Sequence, residues 1–148
     1  MLHTLKFLHL FFGTIFLGGL LFSFGFLTYC IFFKNDAQKL LLTLKFSFMV
    51  DIFSVILIIN QFITGSLMVR ETHYTFETPW IDAAYVFLGL STILILVSFL
   101  IKRKNYNLLK SSILSAFQHK TAYLISNFLI IAIIVLIIRD AVLKTTLL

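Results

Sequence analysis

The chain has little of what a water-soluble protein uses to cover its surface. Of 148 residues, only six are acidic and twelve are basic, so charged residues make up 12% of the sequence. Hydrophobic residues make up 60%, and the mean hydropathy is +1.04. A soluble fold of this length cannot bury so much apolar surface. The composition therefore predicts a protein whose outer surface faces lipid.

Cysteine and proline each occur once. A single cysteine, Cys30, excludes an intrachain disulfide and a metal site built from several cysteines, and we interpret it as a small packing residue. The sequence also lacks a P-loop, a dinucleotide-binding glycine motif, a Gly-x-Ser-x-Gly motif and a His-Glu-x-x-His motif. We therefore do not expect catalysis without a bound cofactor.

Four long apolar runs separate the few charged residues, and they cover residues 7 to 33, 40 to 69, 80 to 101 and 121 to 138. About 20 apolar residues cross a hydrocarbon core of about 30 Å. No run alternates as a barrel strand does, and each exceeds the ~10 residues of such a strand. The first run lacks a small-residue cleavage site, so we interpret it as a helix and not as a signal peptide.

The predicted fold is all-α, a transmembrane four-helix bundle that forms one domain over residues 1-148. The expected helices cover about residues 3-33, 40-69, 80-101 and 121-143. Gly18 and Gly25, seven residues apart, give the first helix small faces suited to close contact with another helix. The predicted partners include a second membrane protein or another copy of this chain.

Basic residues are distributed unequally between the two ends of the predicted helices. Eight lie in or beside the connections between helices 1 and 2 and between helices 3 and 4: Lys34, Lys39, Lys45, Lys102, Arg103, Lys104, Lys110 and Lys120. Four lie at the opposite end: Lys6, Arg70, Arg139 and Lys144. By the positive-inside rule, we expect both basic connections in the cytoplasm and both termini outside.

The net charge of +6 does not indicate nucleic-acid binding, because the basic residues cluster at membrane boundaries without a basic, aromatic-interleaved surface motif. Anionic lipid headgroups are the expected partner. Residues 105-118 place Leu108, Leu109, Ile113 and Phe117 at helical spacing, which suits a short helix on the inner membrane surface. An extension of the fourth helix is the alternative.

Polar residues inside the spans are the candidates for function, because burial in lipid is costly. Asp51, Asn60 and Gln61 suit either a proton path or interhelical hydrogen bonds that fix the packing. His9 is the sharpest candidate, since Phe12, Gly13 and Phe16 follow it on the same helix face. A histidine beside a glycine gap and aromatic rings suits an axial ligand to heme iron. A histidine that bonds a neighbouring helix is the alternative.

The expected topology places further ligand types on the side of His9. His3 and His73 lie at this end, with Glu71 and Glu77 beside His73. These residues predict either bis-histidine heme ligation by His9 and His73, or a small copper or zinc site that includes His3. A solvated histidine in an exposed loop is the alternative for His73.

The opening Leu5-Lys-Phe-Leu-His9, followed by Phe16-Leu-Gly-Gly-Leu-Leu-Phe22, resembles the first helix of small bacterial four-helix membrane proteins. These are related to the copper-resistance D domain and to HemJ-type protoporphyrinogen oxidases. The segments Gln61-Phe-Ile-Thr-Gly65-Ser-Leu-Met-Val69, Thr78-Pro-Trp80-Ile, Ala84-Tyr85 and Leu88-Gly89 are similar to a predicted integral membrane family of unknown function in that group. The resemblance implies a bacterial inner-membrane location and a heme-associated role for His9.

Two functions follow as expectations. The first is a heme-dependent membrane oxidoreductase with heme b on His9, in which electrons pass between a quinone and an acceptor. The second is a non-catalytic subunit of a membrane complex, or a protein that handles copper at the outer side. In the second case the polar residues serve helix packing, and the phenylalanine-rich helix faces bind a partner.

Overall fold

In the computed structural model, residues 1–33, 36–111 and 117–144 are described, and they form four helices. These helices are α1 (Leu2–Phe33), α2 (Ala37–Arg70), α3 (Pro79–Lys110) and α4 (Lys120–Leu143). Each is long and apolar enough to cross a membrane. The predicted all-helical architecture of four candidate spans is therefore confirmed, and the chain is compatible with a multi-pass membrane protein.

Two helix starts follow from local chemistry. The carboxylate of Asp36 caps α2, accepting hydrogen bonds from the backbone N–H groups of Gln38 at 3.0 Å and Lys39 at 3.3 Å. These N–H groups have no partner inside the helix, which is why an aspartate is favoured there. Pro79 stands in the first turn of α3, where the missing N–H costs nothing.

Consecutive helices pack side by side, and the ring closes with a smaller contact between α1 and α4. Two apolar clusters fill the interior. One includes Phe16, Leu57 and Ile130, and the other includes Leu27, Leu44 and Tyr123.

The outer surface is also apolar. Large side chains on it each expose more than half of their surface, as expected for side chains that face lipid: Phe7, Phe22, Phe53 and Phe128. Gly18 and Gly25 also lie on this outer surface, with no atom of the described chain close to the position of an added Cβ.

The third helix continues nine residues past its predicted end at residue 101, because one face of its last turns packs into the bundle. Lys102, Asn105 and Leu109 follow one another on this face and are all buried. Residues 105 to 110 therefore belong to α3 and not to a separate interfacial helix. Leu109 and Phe117, predicted to face the inner membrane surface, pack into the bundle interior. The remainder of that predicted helix, residues 112–116, lies outside the described residues.

Asn105 ties the end of this extended helix to the start of α4. Its side-chain oxygen accepts a hydrogen bond from the backbone N–H of Gln118, and its Nδ2 donates to the Gln118 carbonyl at 3.1 Å. A fully buried side chain thus satisfies both backbone groups of one residue. The α3–α4 connection is consequently anchored against the bundle.

Candidate functional site

The predicted histidine, His9, lies near the N-terminal end of α1 and faces α2. Its Nδ1 lies 2.9 Å from the hydroxyl oxygen of Thr64. The Thr64 hydroxyl is also 2.7 Å from the carbonyl oxygen of Asn60, to which it donates its single hydrogen. Thr64 must then accept from His9, so the proton of the neutral imidazole is on Nδ1 and the lone pair is on Nε2.

A second bond joins the same two helices. The side-chain amide of Gln61 donates to the backbone carbonyl of His9 at 2.7 Å. A carbonyl within a helix accepts a second hydrogen bond readily because it has two lone pairs. Gly13, one turn further along α1, permits this approach: a Cβ at Gly13 would lie 3.3 Å from Nε2 of Gln61. Gln61 thus occupies the space beside Gly13.

Small and hydroxylated residues complete the surroundings of the imidazole. Gly65 lies directly against the imidazole, since an added Cβ there would be 3.4 Å from Cε1 of His9, in van der Waals contact with the ring. The neighbouring Ser66 hydroxyl lies 2.9 Å from the hydroxyl of Tyr85 on α3. The residues that the sequence analysis matched in two separate segments, Gln61 to Ser66 and Tyr85, therefore meet beside His9.

The other predicted ligands lie at the protein surface. His3 and His73 are exposed, as are Glu71 and Glu77. Within residues 1–33, 36–111 and 117–144, no group of three or more histidine, cysteine, aspartate or glutamate side chains is placed to hold a metal ion. The expected convergence of three histidines and two carboxylates is thus not found there.

The predicted aromatic and glycine stripe beside His9 serves packing. Phe16 is buried among the core residues, and Phe12 packs against the same cluster. Gly13 faces Gln61, as described above. Of the four predicted residues on this face, only His9 keeps an atom suited to binding.

Thr64 and Gly65 were not singled out from the sequence as site residues. Threonine in a helix is common and usually bonds its own helix. The spacing did carry a signal, because Asn60, Gln61 and Thr64 lie on one face of α2. Tyr85 enters the sequence analysis only through the resemblance, and its bond to Ser66 depends on how α3 packs against α2.

A second polar cluster lies deeper in the bundle. Nζ of Lys102 on α3 donates to Oδ1 of Asp51 on α2 at 2.7 Å and to the Ser47 hydroxyl at 2.9 Å. The Ser47 hydroxyl in turn lies 2.7 Å from that of Ser23 on α1. Lys102 and Asp51 expose 2% and 5% of their surface, so an ion pair is buried between three helices. Lys102, expected in the basic connection, therefore lies inside the bundle.

The two polar clusters are separate. Asp51 and Thr64 are thirteen positions apart on α2, or about 20 Å along the helix axis. Phe16, Leu57, Ile95 and Ile130 fill the intervening layer. Asn60 bonds its own helix through the Ile56 carbonyl, and Gln61 and Asp51 bond other helices. These contacts favour the packing interpretation of the intramembrane polar residues over a continuous proton path.

Comparisons with known proteins identify no relative: no family model, no curated protein sequence and no solved structure matches this chain. The resemblance drawn from the sequence therefore stays a prediction. The geometry of the His9 site is the remaining guide to function.

Proposed function

We propose that this chain is a multi-pass membrane protein that binds one b-type heme through Nε2 of His9. The observation that carries the proposal is the hydrogen-bond chain from His9 Nδ1 through the Thr64 hydroxyl to the Asn60 carbonyl. Histidines that bind metals commonly donate their other ring N–H in this way, which fixes the tautomer and the ring orientation. His9 thus fits the role of an axial ligand.

The number of available ligands favours heme over a free copper or zinc ion. A porphyrin supplies four ligands to its iron, so one imidazole is sufficient to hold it. A zinc site usually needs at least three protein ligands, and the described part of the chain brings no three candidate side chains together. The proposed heme site needs no protein ligand besides His9, so the proposal assigns no role to His3 or His73.

A bound heme would supply one-electron redox chemistry at this end of the bundle. The chain's own contribution is to hold the imidazole neutral and oriented through Thr64, with Gly65 lying against the ring. A membrane-soluble quinone is the proposed electron partner, since the apolar outer surface faces lipid.

A second candidate is a non-catalytic subunit of a membrane complex. The observation that favours it is the use of Gly13 and Phe16, predicted to flank a heme, in contacts with Gln61 and the core. In that case His9 serves only to bond α1 to α2. The exposed faces of the four helices would then provide the partner surface.

The proposed orientation keeps both termini outside and the two basic connections in the cytoplasm. Removing the buried Lys102 from the count leaves seven basic residues on one side against four on the other. The side with the two basic connections still carries more basic residues, so the positive-inside rule gives the same orientation. Anionic headgroups of the inner membrane are the proposed partner of these residues.

The deciding experiment is the visible absorption spectrum of the purified protein, oxidised and dithionite-reduced, beside a His9→Ala variant. We expect a Soret band with sharp reduced α and β bands in the native protein and their loss in the variant. His3→Ala and His73→Ala are matched controls that keep the spectrum, because both residues lie outside the proposed site.

A colourless, well-folded native protein from heme-replete cells would contradict heme binding and favour the subunit function. A spectrum that persists in His9→Ala would contradict the assignment of the ligand. Far-ultraviolet circular dichroism and size-exclusion chromatography of each variant separate loss of heme from loss of fold.

A further inference from the structure

The buried Asp51–Lys102 ion pair contains hydrogen-bonding groups without a partner among the described residues. The Lys102 ammonium carries three N–H groups, and the bonds to Asp51 Oδ1 and Ser47 account for two. Oδ2 of Asp51 is buried, and no group within the described residues is its hydrogen-bond partner. Among the described residues, one donor and one acceptor of this ion pair thus have no partner.

Tyr123 adds a third such group at the same level of the bundle. Its side chain is fully buried, and its hydroxyl has no hydrogen-bond partner in the described part of the chain. One turn along α4, Asn127 donates to the Ser98 hydroxyl at 2.9 Å, and Ser98 lies one turn from Lys102 on α3. Tyr123 and Lys102 each lie one turn from this bond on their own helix.

The region is closed on both sides by apolar residues. Leu27, Leu44 and Leu109 belong to the cluster at one end, and Leu57 and Ile130 belong to the cluster at the other. Bulk water and lipid headgroups therefore do not satisfy these groups. An unsatisfied carboxylate oxygen is costly in such surroundings, and buried polar groups are nearly always paired by protein or by ordered water.

We propose that the Asp51–Lys102 pair is a buried binding site for water, in which one molecule accepts from Lys102 Nζ and donates to Asp51 Oδ2. A ligand here must be small, and it must both accept and donate hydrogen bonds. Water meets both requirements, and in the proposed site its remaining hydrogen bond is with the Tyr123 hydroxyl, which is also without a partner among the described residues. Buried waters typically make about three such bonds.

A metal ion does not fit the same groups. The ammonium of Lys102 is bonded directly to Asp51 Oδ1, so a second cation beside this carboxylate would be repelled. The third N–H of the ammonium needs an acceptor, and a cation supplies none. The inference is independent of the proposed function, because the His9 site lies on the other side of an apolar layer.

X-ray radiolytic footprinting tests the proposal, since hydroxyl radicals formed from a bound water oxidise the side chains next to it. We expect Tyr123 to be oxidised in the native protein although it is fully buried. The expected rate falls at least several-fold in the double variant Asp51→Leu, Lys102→Met, in which the two proposed water partners are absent. The exposed Tyr74 is the internal control and keeps its rate.

Oxidation of Tyr74 without oxidation of Tyr123 in the native protein would overturn the proposal. Equal oxidation of Tyr123 in the native protein and a folded double variant would overturn it as well. If the double variant does not fold, a high-resolution crystal structure of the native protein decides. Density within hydrogen-bond distance of both Asp51 Oδ2 and Lys102 Nζ supports the site, and its absence where other buried waters are resolved refutes it.

Discussion

At the scale of single residues, the proposed ligand depends on one threonine hydroxyl. Thr64→Val keeps the size and shape of the side chain but removes the acceptor for Nδ1–H of His9. We expect heme affinity to fall about 10- to 100-fold, as is typical when the partner of a metal-binding histidine is lost. Titration of the apoprotein with heme measures this. Thr92→Val is the matched control, because the Thr92 hydroxyl bonds its own helix, through the Leu88 carbonyl.

The buried ion pair gives a prediction for stability. Lys102→Met leaves the Asp51 carboxylate buried without its partner, and we expect it to destabilise the protein by about 3–5 kcal/mol. The double variant Asp51→Leu, Lys102→Met removes both charges, and we expect stability within about 1–2 kcal/mol of the native protein or above it. Unfolding in mixed detergent micelles measures both. A double variant as unstable as the single one would show that the buried Ser47 and Ser23 hydroxyls need the ion pair as a hydrogen-bond partner.

Asp36 gives a prediction for pH. The backbone N–H of Lys39, together with the Lys39 ammonium and the N–H of Gln38, holds the pKa of Asp36 below its ordinary value. Because the folded pKa is the lower one, the cap stabilises α2 above the unfolded pKa, and this contribution is lost as pH falls through the folded pKa. We expect amide protection factors at Gln38 and Lys39 to fall in that window.

Asp36→Asn is the control for this effect. Asparagine caps a helix about as well as aspartate but does not titrate. The protection factors should therefore be insensitive to acid in the variant. An equal loss of protection in both proteins would assign the pH effect to another group.

At the scale of helices, the end of α3 shows how a buried side chain sets a boundary. Lys102 and the residues after it read as a polar connection, because charged residues usually lie outside a span. The partner of Lys102 is Asp51, far away along the chain, and that of Asn105 is Gln118 across the connection. Neither pairing is visible in local periodicity, so the helix was predicted to end too early.

Asn105 provides a test at this scale. Asn105→Leu leaves the backbone N–H and carbonyl of Gln118 without their partners, at a cost of about 1–3 kcal/mol for each group that stays buried. We expect faster proteolysis of the α3–α4 connection and faster amide exchange at Gln118. Asn107→Leu is the matched control, since Asn107 is exposed. Equal proteolysis of the two variants would contradict an anchoring role for Asn105.

At the scale of the whole molecule, the orientation in the membrane is the property to test. Single-cysteine variants Glu77→Cys and Lys110→Cys in a Cys30→Ser background place thiols in the α2–α3 connection and at the end of α3. We expect a membrane-impermeant maleimide added to intact cells to label the first and not the second. The reverse pattern would place the basic connections outside. Labelling of both variants after lysis confirms that each thiol is accessible.

The sequence by itself determined the number of candidate spans and the all-helical architecture. Apolar runs of this length leave a chain in lipid only one way to satisfy its backbone hydrogen bonds, so no tertiary information is needed. It also placed His9 on a helix face with Gly13 and Phe16, because helical spacing is a local property.

Only the tertiary structure decided what those faces touch. Gly13 lies against Gln61, Phe16 enters the core, and His9 bonds Thr64, because α1 packs on α2 in one particular register. The same holds for Lys102, which the sequence assigned to a connection and the fold pairs with Asp51. A side chain's partner on another helix depends on the packing of the whole bundle, and hydrophobic periodicity carries no record of it.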